Sequence, residues 1–323
     1  MAIIYDKSAD KLMFRAAFAQ TIEKLAELDS DVVYLDADMM SSIDTRPFWK
    51  KNPRQAINCG IAEANMIGVA AGLAAAGKKP YAHSFGAFSS RRVYDQAVLS
   101  VAYAGCDVRI FGTDPGIQAG FNGGTHMPFE DIALYRAIPN STVIEISDSS
   151  MLKHIMYQIK ERKNLTYVRM TRKNYQALYS KDHKFEIGKG QVLREGTDGA
   201  IIACGMMVCE ALGAADILAA DGINIKVIDM FTIKPLDMDL VRAAAETGLV
   251  VTAENHNVIG GLGEAVASGL LDVRTAEGVR PYSPKFKRIG MVESFGEVGP
   301  VDYLQELYGF TAENIAKTVK EML

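Results

Sequence analysis

Chemistry concentrates in the segment Gly60-Ile61-Ala62-Glu63-Ala64-Asn65-Met66-Ile67-Gly68, continuing to Ala74. It places one carboxyl group in the first turn of a helix whose other side chains are nearly all small or apolar. The position allows two readings. A solvated first-turn acid is favoured by the helix dipole alone. A carboxyl group buried at a helix–helix contact is desolvated, which favours the neutral acid and lets it hold or donate a proton. Gly68 and Gly72, one turn apart, allow a second helix to approach closely. Farther along stand Phe85 and Phe88, three residues apart, and His126 after Gly123-Gly124-Thr125. Taken singly, these are ordinary core aromatics and a satisfied or surface histidine.

Other chemical signals are weaker. Gly72 to Lys79 nearly spells a phosphate loop, but Lys79 replaces the magnesium-binding hydroxyl and the stretch closes a helix instead of opening one. Gly260-Gly261-Leu262-Gly263 follows a strand and opens a helix, yet Val266 stands where a dinucleotide fingerprint has its third glycine. The four cysteines, Cys59, Cys106, Cys204 and Cys209, have neither C-x-x-C pairing nor zinc-finger spacing, so buried reduced thiols are expected.

The elements that must position these residues follow from hydrophobic periodicity. Apolar β-branched runs at 31–36, 79–84, 107–112, 142–147 and 165–170 read as parallel strands buried on both faces. Helical stretches at 11–28, 62–76, 91–104 and 150–162 lie between them. The second half repeats the alternation with strands at 200–204, 225–229, 248–253 and 288–292 and helices at 208–221, 237–247 and 263–275. The expected fold is α/β, with two consecutive doubly wound domains of mainly parallel sheet. Residues 173–190 lack periodicity and form the expected linker, giving domains at 1–184 and 185–323.

Composition narrows the partners. Of 323 residues, 49% are hydrophobic and 23% charged, as in a globular chain. The 35 Lys and Arg against 39 Asp and Glu leave a net charge of −4, so no basic surplus exists to neutralise nucleic-acid phosphates or an anionic membrane. The longest apolar uncharged run, 64–77, is short of the ~18–20 residues that cross a bilayer. Asp6, Lys7 and Asp10 interrupt the opening residues, which therefore lack a secretory signal, and a cytoplasmic location is expected.

In combination, the residues above resemble the pyrimidine-binding domain of transketolase and its thiamine-diphosphate relatives. The resemblance rests on Gly60-Ile61-Ala62-Glu63, the Phe85/Phe88 pair about 20 residues later, and Tyr94-Asp95-Gln96. Arg15 to Gln20 is similar to that family's opening helix, Asp36-Ala37-Asp38 to the loop after its first strand, and Gly123 to Pro128 to its G-x-T-H-x-P turn. The part beyond Gly188 resembles the family's C-terminal domain.

The resemblance implies a catalytic role for Glu63, hydrogen-bonded to the aminopyrimidine ring nitrogen and favouring its imino tautomer. Phe85, Phe88, Asp38 and Arg91 would surround the cofactor. His126 would contact the donor's carbonyl end and shuttle protons. Arg15 and Arg172 would clamp a sugar phosphate, with Arg169 and Lys173 as neighbouring alternatives to Arg172. Asp114 stands where the family usually has a phosphate-contacting histidine, and Asn122 where an aspartate usually reads a donor hydroxyl, so substrate identity is open.

No G-D-G string for diphosphate and metal occurs. The resemblance therefore implies the C-terminal subunit of a split transketolase. Thiamine diphosphate would be shared with an N-terminal partner subunit that carries Mg²⁺, with no metal ligand on this chain, in an assembly of two copies of each. The implied reaction moves a two-carbon ketol unit from a sugar or sugar-phosphate donor to an aldehyde. Alternatives are a 1-deoxyxylulose-5-phosphate synthase-like or 2-oxo acid dehydrogenase beta-like chain, and a non-catalytic regulatory subunit.

Overall fold

Val32–Asp36, Arg109–Thr113, Thr142–Glu145 and Thr166–Met170 are buried along their whole length. Strands covered by helices on both faces need no alternation, and these sequences show none. The computed structural model describes residues 3–272 and 283–323, with the backbone of two short paired strands, Arg274–Thr275 and Gly278–Val279, between them.

The first sheet has seven strands in the order Thr232–Lys234, Thr142–Glu145, Thr166–Met170, Arg109–Thr113, Lys79–Phe85, Val32–Asp36 and Ala56–Asn58. All pair in parallel except Thr232–Lys234, an antiparallel edge strand contributed by the second half of the chain. The second sheet runs Lys285–Met291, Leu249–Asn257, Gly199–Ala203, Ile225–Asp229 and Gln191–Arg194, with only the last pairing antiparallel. Two α/β units with mainly parallel sheets result, as the periodicity predicts.

Helix Phe14–Leu28 covers one face of the first sheet through Phe14, Phe18, Ile22 and Leu25. The Phe18 ring meets Phe111 edge-on at 5.0 Å, and burial of each such side chain stabilises the fold by roughly 1.5–3 kcal/mol. Helix Glu63–Ala75 buries Met66, Ile67, Ala70 and Ala71. Its opposite face is exposed, and a Cβ built at Gly68 or Gly72 would meet nothing within 4 Å.

Several elements differ from the sequence reading. Strands Ala56–Asn58, Gln191–Arg194 and Thr232–Lys234 escape it because three or four residues at a sheet edge carry no periodic signal. Helices Arg46–Lys51, Asp131–Ala137, Val301–Tyr308 and Ala312–Met322 are additional. The helix expected at 91–104 is a 3₁₀ turn, Arg91–Val93, followed by a π-helix, Gln96–Tyr103. The helix expected at 263–275 ends at Leu271; residue 273 lies outside the described residues. Cys204 and Cys209 are buried free thiols, but Cys59 and Cys106 are only half-buried, because each sits in a connection at the end of an element. Among the described residues no helix is long and apolar enough to cross a membrane.

Candidate active site

In an open parallel sheet the loops beyond the strands' carboxyl ends form the crevice where ligands bind. Here those loops carry the residues expected to act. Val32–Asp36 leads to Asp38, Lys79–Phe85 to Phe88 and Arg91, Arg109–Thr113 to Asp114, and Thr166–Met170 to Arg172.

A buried polar chain ties three of these strand ends together. His83 Nδ1 lies 3.0 Å from Asp36 Oδ2, and its Nε2 lies 3.1 Å from Thr113 Oγ1. The Tyr34 hydroxyl donates to Asp36 Oδ2 at 2.5 Å, and Met39 N donates to Asp36 Oδ1. All four side chains are fully enclosed. Leaving any of these groups unpaired would cost about 1–3 kcal/mol, so the network holds the loops above it in one arrangement.

Glu63 opens the helix Glu63–Ala75 and is only 3% exposed. Its solvated reading is thereby excluded. The Arg92 guanidinium donates to Glu63 Oε1 at 2.8 Å and stacks over the Phe88 ring at 4.0 Å. Phe88 in turn meets the His126 ring at 5.0 Å, and Phe85 meets His126 at 5.9 Å and Phe88 at 6.1 Å. Both phenylalanines are part-exposed, leaving an aromatic wall accessible beside one buried carboxyl group. His126 Nδ1 is 2.9 Å from Thr125 Oγ1. Burial, then the neighbouring Arg92 and Arg91 charges, holds this imidazole below its usual pKa.

Arg91 reaches the same turn from outside, donating to Thr125 O at 3.2 Å and pairing with Glu130 at 3.0 Å. Asp38, with φ +64, is exposed and exchanges hydrogen bonds with Asn58 on the approach to Glu63. Asn122 is exposed in the 3₁₀ segment Gly116–Asn122 that leads into the His126 turn.

The phosphate-clamp candidates form a second cluster. Arg172 Nε donates to Asp114 Oδ2 at 2.8 Å, and a second guanidinium nitrogen also contacts that oxygen. The Arg172 guanidinium lies 4.7 Å from the centre of the Phe85 ring, which joins this cluster to the aromatic wall. Asp114 is 3% exposed, so it is not a free anion in the crevice but the partner that orients Arg172. The alternative Arg169 is fully buried, bound to Asp131 at 2.9 Å and Glu145 at 2.7 Å, and is closed to a substrate. Arg15 pairs with Asp44 at 3.1 Å and lines, with Ser42, Arg172 and Lys173, a cavity of about 230 Å³.

Sequence reasoning does not identify Arg92 as the partner of Glu63, nor Asp114 as the partner of Arg172. The ion pairs span 29 and 58 residues, and only the fold brings them together. Among the described residues no group of three or more His, Cys, Asp or Glu side chains could hold a metal ion.

The family described as transketolase, pyrimidine binding domain, matches residues 10–177, and transketolase, C-terminal domain, matches residues 188–315. The chain belongs to the transketolase family. Among its relatives, the 6-deoxy-6-sulfo-D-fructose transketolase subunit SqwH of Clostridium sp. (strain MSTE9) is 45% identical over 98% of this chain and 97% of the relative. One of the subunits of the apulose-4-phosphate transketolase of Phocaeicola vulgatus is 33% identical, over 96% of this chain and 97% of its own. A solved structure described as split gene transketolase, inactive beta4 tetramer, superposes with a TM-score of 0.86 at 36% identity, covering 97% of this chain and 99% of that one. Human transketolase is 33% identical, but the match covers only 43% of it. These two relatives that match this chain from end to end are thus subunits, and the chain corresponds to the C-terminal half of the single-chain enzymes.

Proposed function

We propose that this chain is the C-terminal subunit of a two-chain, thiamine-diphosphate-dependent transketolase. The observation that carries the reading is the Glu63 carboxyl group, buried at a helix start and joined through Arg92 and Phe88 to the Phe85–His126 aromatic wall. A flat aminopyrimidine, with an aromatic face and a basic ring nitrogen, suits such a cradle. A regulatory domain without chemistry has no need for a buried carboxyl group beside accessible aromatic faces.

When bound, thiamine diphosphate supplies the nucleophilic carbon that adds to a ketose carbonyl and carries the two-carbon unit. Glu63 would hydrogen-bond the pyrimidine ring nitrogen. Phe85 and Phe88 would stack against the ring, and Asp38 and Arg91 would border it. His126, kept neutral by its surroundings, accepts or returns a proton at the donor's oxygen. Arg15 and Arg172 bind the anionic end of the sugar, while Asn122 contacts a hydroxyl.

The diphosphate and its Mg²⁺ belong to an N-terminal partner, since this chain has no G-D-G sequence. Two copies of each chain form the assembly, with the small-residue face of Glu63–Ala75 packed against its twin. A ketose with an anionic tail, sulfonate or phosphate, is the expected donor; the names of two relatives support this. The test combines this chain with its partner, thiamine diphosphate, Mg²⁺ and a panel of ketoses and aldehydes. Ketol transfer only when both chains are present is expected. Stoichiometric cofactor binding and turnover by this chain alone would overturn the two-chain reading.

A further inference from the structure

Asn255 lies on the second domain's strand Leu249–Asn257, yet its side chain ends in the first domain. It is wholly buried there. Its Oδ1 accepts from Ile117 N at 3.0 Å, and its Nδ2 donates to Pro115 O at 2.9 Å. One carboxamide, carrying a donor and an acceptor side by side, therefore closes both ends of the turn 115–117. Gly116 is enclosed by it: a Cβ there would lie 2.1 Å from Asn255 Oδ1, and its φ of +49 disfavours any side chain.

The residue before this turn is Asp114, whose φ of +55 is rare for a residue with a side chain. Such a conformation persists where the surroundings over-determine it. Asp114 N donates to Met170 O at 3.1 Å, and its carboxylate holds the Arg172 guanidinium. Asn255 itself is anchored, because Arg169 donates to its backbone oxygen at 2.7 Å while also paired with Asp131 and Glu145. The clamp is rooted in a buried charge cluster between the domains.

We propose that Asn255 is a positioning residue for substrate. By closing the turn it fixes Asp114, and through Asp114 it sets the direction in which Arg172 meets the anionic end of the donor. The second domain thereby shapes substrate binding without touching the substrate. The inference rests on the reading of Arg172 as an anion-binding group.

Two variants test it, Asn255→Ala, which removes both bonds, and Asn255→Asp, which keeps the acceptor for Ile117 and loses the donor to Pro115. Hydrogen exchange on the full chain alone reads the clamp: in Asn255→Ala, peptides containing Ile117 should exchange about tenfold faster. In the assembly with the partner chain, both variants should raise KM for xylulose 5-phosphate about tenfold, with kcat and the KM of uncharged erythrulose within about twofold of wild type. Unchanged exchange at Ile117 in a folded variant overturns the clamp. An equal rise in KM for charged and uncharged donors overturns its link to Arg172. Should the wild-type assembly transfer nothing from any ketose, the functional reading falls and this inference with it. That result is distinct from failure of the clamp alone, in which wild-type turnover is intact and exchange at Ile117 does not move.

Discussion

Arg92 donates to Glu63 Oε1 at 2.8 Å while its own guanidinium covers the Phe88 ring at 4.0 Å, so one cation sits on both an acid and an aromatic face of the cradle. A pyrimidine ring that stacked on Phe88 and bonded Glu63 would compete with Arg92 for both. The Arg92 side chain is 47% exposed while that of Glu63 is 4% exposed, so solvent screens the pair from the cation's side. Arg92→Met should therefore tighten cofactor binding to the assembly. Titration calorimetry decides it, and weaker binding would make Arg92 a contributor to the cradle instead of a competitor.

Glu63→Gln keeps the shape of the side chain and removes the acid. Exchange of the cofactor's thiazolium-carbon proton should slow by about 10²–10⁴-fold with cofactor still bound. Deuterium exchange followed by proton NMR measures this directly, and wild-type exchange would return Glu63 to a structural role.

His126 is held below its usual pKa of 6.5, first by burial and then by Arg92 and Arg91. The neutral imidazole is therefore the resting form at neutral pH, and activity should fall on the acid side only below 6.5. Arg91→Gln removes one repelling charge. Its acidic limb in a kcat/KM profile should move to higher pH, and an unmoved limb would show that Arg91 does not set the imidazole's state.

Asp114 and Arg172 should act as a pair. Single substitutions Asp114→Ala and Arg172→Ala should each raise KM for an anionic donor, whereas the double variant should lose little beyond Arg172→Ala. A double-mutant cycle should return about 1–3 kcal/mol of coupling. Additive losses would separate the two residues.

Asp229 is completely buried, and desolvation raises its carboxyl pKa from 3.8 to about 7. The folded state thus binds a proton that the unfolded state has released, so this residue favours folding most below pH 3.8 and loses that contribution as pH climbs to about 7. Asp229→Asn should raise the melting temperature at pH 8 and have a smaller effect at pH 5, with the hydrogen bond from Tyr179 retained. A larger gain at pH 5 would contradict the sign.

Much of this site is legible in the sequence because its parts are local. Glu63 stands out as a lone acid beginning an apolar helix, and the Phe85/Phe88 pair and the His126 turn stand out through contiguous spacing. Relations across the chain do not. Asp114 alone reads as an anion that repels phosphate; folded, it is neutralised by Arg172, 58 residues away. Arg169 and Arg172 look equivalent in sequence, yet the strand Thr166–Met170 directs Arg169 into a buried pair with Asp131 and Glu145, whereas Arg172 lies past the strand's end. The edge strand Thr232–Lys234 escapes for a related reason, since its assignment depends on a partner, Thr142–Glu145, in the other half of the chain.

That edge strand has a consequence for biosynthesis. While the ribosome is still making the second half, the first sheet ends at Thr142–Glu145 with one row of backbone amides and carbonyls unpaired, and a naked edge of this kind recruits other chains. The gap closes only after residue 234 has emerged, so the first domain cannot finish before the second has begun. A fragment cut in the connection at 173–190 would leave the edge permanently open and should aggregate on expression, even though it contains every residue of the cradle.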